Sequence, residues 1–281
     1  MIQRSKFFAV IGVAIGVGLV GCGGTPAVVD PIPAHQTLLI DSQLLHERRR
    51  INVYLPPAYE SSRDQFYPVL YMPDGGIQED FPHIANTIQS LIVSGQIPAC
   101  LVVGIENTER RRDLTPPTTV ESDRAVAPVV GGSENFRHFI RQELIPRIET
   151  DYRCTLQRAL VGESLAGLFV IETWLLTPEL FESYIAVSPS VWWNNQALIN
   201  DAADLLRRQS DVTRRLYVTS ADETDIAPHT ARLAETLTVL ALPRLDWWYE
   251  PRPDLTHATI FRNVTATAFQ RTLSLKESIN D

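Results

Sequence analysis

A serine set among small residues, between a strand-like and a helix-like stretch, is the strongest chemical signal in the chain. Residues 159–162 form a short apolar run, Ser164 follows within Gly162-Glu163-Ser164-Leu165-Ala166-Gly167, and Leu165–Leu176 has the length and apolarity of a buried helix. So sharp a turn strains the serine backbone, and only small residues two places to either side avoid collision. Gly162 and Ala166 meet that need. The expected geometry lifts the Ser164 hydroxyl above the strand ends and aims the Leu165 N–H at a developing oxyanion. The alternative is an ordinary strand–helix turn with a capping serine.

A serine hydroxyl needs a base to become a nucleophile. Six histidines are available. His35 and His46 lie early, His83 and His138 fall in helical patterns, and His229 opens a helix. His257 follows the last strand-like run, in Pro253-Asp254-Leu255-Thr256-His257-Ala258, just before the last helix. That is where the base arrives when serine, acid and histidine occur in this chain order. The orienting acid is expected in Ser220-Ala221-Asp222-Glu223-Thr224-Asp225, after the penultimate strand. Counting from the strand end favours Glu223, with Asp222 and Asp225 as alternatives and a Ser–His dyad as a fallback. A second oxyanion donor is expected after the strand Tyr67–Met72, from the N–H of Gly76 or Ile77. Such a set would perform acyl transfer through an acyl-enzyme.

These residues need a frame that brings them to one edge. Residues 37–40 and 51–55 have the β-branched alternation of strands, with Arg48-Arg49-Arg50 read as a solvated edge or turn. Tyr67–Met72 runs into the turn signal Pro73-Asp74-Gly75-Gly76. Phe81–Val93 has helical spacing, and the continuous apolar run 100–105 suits a strand buried on both faces. Residues 107–132 are polar and read as a long excursion. Phe136, Ile140, Leu144 and Ile148 mark one helix face, which Pro146 should kink. Strands at 159–162, 184–187, 215–220 and Leu245–Tyr249 then alternate with helices at Leu165–Leu176, 196–208, around Leu233, Leu237 and Leu240, and from 261 to about 273. This alternation predicts an α/β three-layer sandwich with a mostly parallel central sheet.

Composition supports that frame and removes other classes. Of 281 residues, 44% are hydrophobic and 21% charged, enough for a large core. A formal charge of −8 argues against nucleic acid as a partner. Three cysteines are too few for a disulfide framework, and Cys100, opening an apolar strand, reads as a small buried hydrophobe. No metal-ligand spacing, phosphate loop or dinucleotide glycine pattern occurs, so no cofactor is expected. At the N-terminus Arg4 and Lys6 precede an apolar run from Phe7 to Val20, shorter than the roughly 20 residues of a spanning helix. It ends in Leu19-Val20-Gly21-Cys22, which looks like a bacterial lipobox. Residues 1–21 therefore read as a lipoprotein signal peptide, Cys22 as the lipidation site, 22–36 as a tether, and 37–281 as the catalytic domain. The expected place is the bacterial cell envelope, on a membrane through the lipid at Cys22.

Several motifs in order resemble the bacterial putative-esterase family of α/β-hydrolases, which includes esterase D and ferric siderophore esterases. The carriers are Val69-Leu70-Tyr71-Met72-Pro73-Asp74-Gly75, Val103-Gly104-Ile105-Glu106-Asn107, Arg110-Arg111-Arg112-Asp113-Leu114-Thr115-Pro116 and Glu143-Leu144-Ile145-Pro146-Arg147-Ile148-Glu149. The Ser164 turn and Ser188-Pro189-Ser190-Val191-Trp192-Trp193 complete the set. The resemblance implies metal-free ester hydrolysis at Ser164 and His257. It also implies that Arg111 or Arg112, and Trp192 or Trp193, shape the substrate site, an arrangement suited to aromatic acyl or siderophore-type esters. An envelope acyltransferase, and a non-catalytic ligand-binding lipoprotein of the same fold, are the alternatives.

Overall fold

The computed structural model describes residues 30–209 and 213–274. The expected signal peptide, Cys22 and most of the tether lie outside the described residues. The chain opens with an antiparallel hairpin, β1 (Gln36–Ser42) and β2 (Glu47–Tyr54), followed by β3 (Tyr67–Met72), α1 (Phe81–Val93) and β4 (Leu101–Ile105). Two short helices, α2 (Arg110–Leu114) and α3 (Glu121–Arg124), break the polar excursion. Next come α4 (Ser133–Phe139), a π-helical segment (Ile140–Leu144) and α5 (Ile145–Asp151). The remainder alternates regularly: β5 (Cys154–Glu163), α6 (Leu165–Leu176), β6 (Ser183–Val187), α7 (Trp193–Arg208), β7 (Arg214–Thr219), α8 (Ala227–Leu240), β8 (Leu245–Tyr249) and α9 (His257–Leu273).

The strands form one sheet in the order β1-β2-β4-β3-β5-β6-β7-β8. The pairs β1–β2 and β2–β4 are antiparallel, and from β4 to β8 the pairing is parallel throughout. Parallel strands covered on both sides must be apolar at successive positions. In β3, Val69 and Tyr71 face one core while Leu70 and Met72 face the other. The first core holds α6 with residues of α4, α5, α7 and α8, and the second is closed by α1 and α9. The result is the three-layer α/β sandwich expected from the strand–helix alternation.

Local differences from the sequence reading have identifiable causes. Arg48-Arg49-Arg50 belongs to β2 and is neither edge nor turn. Arg49 is fully buried, its guanidinium paired with Asp113 at 2.6 Å and stacked over Phe136 and Phe139. The excursion 107–132 is no free loop, because Asp113 anchors α2 to β2 while Thr118 and Asp123 bond Asn194. Pro146 has no N–H to give to the preceding turn, and the π-helical segment sits just before it. Residues 30–35, assigned to a tether, are held on the domain: Asp30 pairs with Arg262 at 2.5 Å, and Asn86 donates to Pro31 O at 2.8 Å. Cys100 is buried, as its apolar surroundings suggest, and both it and Cys154 are free thiols.

Candidate active site

The strand–turn–helix at Ser164 has the strained geometry expected of it. Ser164 adopts φ 58° and ψ −119°, between the end of β5 and the first turn of α6. A non-glycine residue there costs on the order of 1–3 kcal/mol, so the surroundings must impose it. They do so from both sides. Ser164 N–H donates to Val187 O at 3.0 Å, and its carbonyl accepts from Leu168 N–H at 2.9 Å and Ser190 N–H at 3.0 Å. Gly162 is obligatory here: a Cβ on it would stand 2.6–2.7 Å from the backbone and methyl of Ala166. Leu165 is the first residue of α6, and first-turn N–H groups have no acceptor within their own helix. Among the described residues that N–H has no acceptor, which leaves it available as an oxyanion donor.

The base and acid meet directly. His257 Nδ1 lies 2.7 Å from Glu223 Oε1. A carboxylate only accepts, so Nδ1 is the donor of this pair, and in the neutral imidazole that tautomer leaves the lone pair on Nε2. Glu223 is in turn fixed. Its Oε2 accepts from Ala221 N–H at 2.8 Å and from the Ser188 hydroxyl at 3.1 Å, and its side chain is 8% exposed against 46% for His257. Asp222 and Asp225 are exposed at the surface. Of the three carboxylates, Glu223 is the one on the imidazole. His257 is the first residue of α9 and not a loop residue before it. A Thr256–Thr259 capping box fixes that helix start.

Ser164, Ser188 and Glu223 leave from the carboxyl ends of the neighbouring parallel strands β5, β6 and β7. A chain of contacts links them: Ser164 N–H to Val187 O, then Ser188 to Glu223, then Glu223 to His257. Among the described residues the Ser164 hydroxyl is paired with Ser190 Oγ, at 3.4 Å. That is a long contact for two hydroxyls. Among the described residues no hydrogen bond joins the Ser164 hydroxyl to His257, and nucleophile–base bonds often form only around bound substrate.

The turn after β3 is shaped by backbone crowding. A Cβ on Gly75 would fall 2.2–2.3 Å from the backbone of Gly104 and Ile105, so only glycine lets this turn press onto β4. The Gly76 N–H, expected as an oxyanion donor, instead donates to Glu79 Oε2 at 2.7 Å. Among the described residues the Ile77 N–H has no protein acceptor, which leaves it as the second candidate donor.

The implied substrate residues divide. Arg112 is committed to Glu47 at 2.8 Å and Asp113 at 2.6 Å. Trp193 is 2% exposed and donates from Nε1 to Pro116 O at 2.9 Å, a core role. Arg111 is exposed, with Nη1 donating to Val126 O at 2.5 Å. Trp192 is half-buried and stands two positions after Ser190.

Sequence reasoning missed an acidic group beside the serine. Arg110 grips Asp74 through Nε at 2.6 Å and Nη2 at 2.8 Å, and Asn107 bridges Asp74 to Glu79. Burial, reinforced by Asp74, raises Asp80 to about 6. Burial, then Asp80 and Asp74, raises Glu163 to about 8. Asp74 and Asp80 are near neighbours in sequence, but Glu163 is far from both, and only the fold brings it to them. Among the described residues no cluster of three or more His, Cys, Asp or Glu is arranged for a metal ion.

Comparison with known proteins agrees with the fold. The model of the family described as "Putative esterase" matches residues 42–239. Ferri-bacillibactin esterase BesA of Bacillus subtilis (strain 168) is 33% identical over 182 residues, covering 60% of this chain and 62% of that protein. Apo-salmochelin esterase of Escherichia coli O6:H1 is 28% identical over 214 residues, covering 69% of this chain and 66% of that protein. The match thus spans slightly less than two thirds of either relative. A solved IroE-like serine hydrolase from Shewanella oneidensis superposes with a TM-score of 0.74 at 28% identity, over 85% of this chain and 79% of the other.

Proposed function

Because this chain belongs to the "Putative esterase" family of α/β-hydrolase fold, we propose that it is a serine carboxylester hydrolase working through an acyl-enzyme on Ser164. The observation that carries the reading is the 2.7 Å bond from His257 Nδ1 to Glu223 at the strand edge that also presents the strained Ser164. With Nδ1–H held by Glu223, Nε2 takes the Ser164 proton as the oxygen attacks the ester carbonyl. The Leu165 and Ile77 N–H groups stabilise the tetrahedral oxyanion; losing one such donor typically costs about 10²–10³ in turnover. The imidazolium returns its proton to the departing alkoxide, leaving an acyl group on Ser164. Water, deprotonated by the same Nε2, then releases the acid and restores the serine.

The substrates in best agreement are siderophore-type or other aromatic acyl esters. Relatives are named as esterases of ferri-bacillibactin and apo-salmochelin. Trp192 offers a face for an aromatic acyl group, and Arg111 a cation for an anionic one. Residues 1–21 and Cys22 further suggest a lipid-anchored envelope enzyme. Among the described residues no helix is long and apolar enough to cross a membrane. Metabolic labelling with a lipid probe tests this, since label persisting in Cys22→Ser excludes lipidation there.

Fluorophosphonate labelling tests the core reading. The wild-type protein should label stoichiometrically and hydrolyse a short chromogenic ester. Ser164→Ala should do neither while keeping its circular dichroism. A folded wild-type protein that resists the probe, or an alanine variant that retains turnover, overturns the assignment.

A further inference from the structure

A well-formed cavity of the molecule lies away from the catalytic edge. A cavity of about 360 Å³ opens at the opposite, amino edge of the sheet, where β3, β5, β6 and β7 begin and α9 ends. That volume falls within the usual range for small-molecule sites, about 300–1,000 Å³. Part of its lining is apolar, from Val69, Leu70, Cys100 and Leu273. The Cys100 thiol is inert, because burial pushes its pKa up to about 12.

The charged part of the lining is unbalanced. Arg214 and Arg215 stand together at the start of β7, and Arg214 is 8% exposed. Their hydrogen bonds run to backbone carbonyls. Arg214 donates to Pro178 O and Thr213 O, and Arg215 Nη1 to Thr272 O and Ser274 O at 2.8 and 2.7 Å. A carbonyl satisfies a donor but does not neutralise a cation. Neither guanidinium has a carboxylate within 4.0 Å among the described residues. A third arginine of the lining, Arg158, is paired outside it with Glu149 at 2.5 Å. The one acid of the lining, Glu182, accepts the Arg158 N–H at 2.7 Å. Burial raises its pKa while Arg158 and, more weakly, Arg214 pull it down, so the lining sets a single carboxylate against three arginines. Buried or half-buried cations without a counter-charge are uncommon unless an anion is met there.

We propose that this amino-edge cavity is a second, non-catalytic binding site for a small amphipathic carboxylate, its anion held by Arg214 and Arg215 and its apolar body against Leu70, Val69 and Leu273. Arg215 keeps Nε–H and Nη2 free of partners among the described residues, a pair suited to the two oxygens of one carboxylate. The cavity accommodates a single aromatic ring or a short acyl chain. Ester hydrolysis is not required for this site, and the inference stands if the proposed activity fails.

Isothermal titration of the full chain with benzoate and with octanoate tests it. One saturable site is expected for each, together with a rise in Tm, and neutral benzamide should not bind. Arg215→Gln removes a charge-assisted contact and should weaken affinity roughly ten- to a hundredfold. Arg215 also holds the end of α9, so Gln157→Trp, at the exposed mouth, supplies a variant that blocks the cavity without touching that helix end. It too should lose binding while keeping the wild-type Tm in the absence of ligand. Ser164→Ala should bind as the wild type does. Absence of saturable binding at millimolar concentration, equal binding of benzamide, insensitivity to both amino-edge variants, or loss of binding in Ser164→Ala each overturns the proposal.

Discussion

The roles of the three site carboxylates separate by contact, and that separation is testable one residue at a time. Glu223 alone touches the imidazole, whereas Asp222 and Asp225 are exposed. Glu223→Gln keeps the shape but removes the charge that holds the Nδ1 proton and steadies the imidazolium. Its kcat on a short chromogenic ester should fall roughly 10²–10⁴-fold, while Asp222→Asn and Asp225→Asn stay near the wild-type value. A wild-type rate in Glu223→Gln would mean a dyad. Glu163 raises a different question, because its carboxyl is buried next to the nucleophile and held at about 8 against an ordinary 4.5. The folded state therefore keeps this proton more tightly than the unfolded chain does. By linkage, stability falls as pH rises from about 4.5 and levels off above about 8. Glu163→Gln removes the ionisation, so its Tm should match the wild type at pH near 4 and exceed it increasingly towards pH 8. A Tm difference that does not change with pH would show that Glu163 ionises normally in the folded protein. Serine, histidine and a short carboxylate run were legible because each lies at a strand end whose text is local. The Asp74–Asp80–Glu163 group was not, since nothing near Glu163 in sequence announces that two acids from the turn after β3 and the start of α1 will face it.

At the scale of elements, α6 is the piece on which the nucleophile stands. Every residue from Leu165 to Leu175 is buried, including Glu172 at 4% exposure. That carboxylate pairs with Arg137 of α4 at 3.1 Å and accepts from Ser133 at 3.0 Å, fastening α4 to α6 behind the serine. Removing one member of such a pair strands the other. Arg137→Met should destabilise the fold by about 3–5 kcal/mol in urea denaturation, and the double variant Arg137→Met/Glu172→Leu should recover most of the loss. If the single variant is as stable as the wild type, the pair is dispensable to the fold. Strands buried on both faces, such as Leu101–Ile105 and Tyr67–Met72, announce themselves by unbroken apolar text, which is why most of the sheet was readable. The second half of β2 was readable as a strand but its first half was not, because Arg49 looks like a surface residue until its partner Asp113 is known, and that partner lies 64 residues away. The start of α7 failed for a related reason. Asn194, Asn195 and Gln196 take left-handed φ values, and the first of them, Asn194, is bonded by Thr118 and Asp123 of the distant excursion.

For the molecule as a whole, the strand edges divide the labour. The carboxyl edge carries the serine, base and acid, and the amino edge carries the arginine-lined cavity. α9 runs between them, with His257 at its first turn and Thr272 and Leu273 at the cavity. The N-terminal stretch before β1 straps this same helix. Asp30 pairs with Arg262 of α9, Pro31 O accepts from Asn86 of α1, and the His35 ring meets Phe81 edge-on at 5.5 Å. The ion pair is partly exposed and worth at most about 1 kcal/mol, and the ring contact about 0.5–1.5. A chain beginning at Gln36 should therefore lose about 1–2 kcal/mol relative to one beginning at Asp30, read as a small fall in Tm. Its kcat/KM on a short ester should not change, because the capping box at Thr256 and the bond to Glu223 fix His257 without the strap. A large loss of kcat at full occupancy of the folded state would instead make the strap part of what positions the base, and the first turn of α9 would have to be regarded as held from both ends.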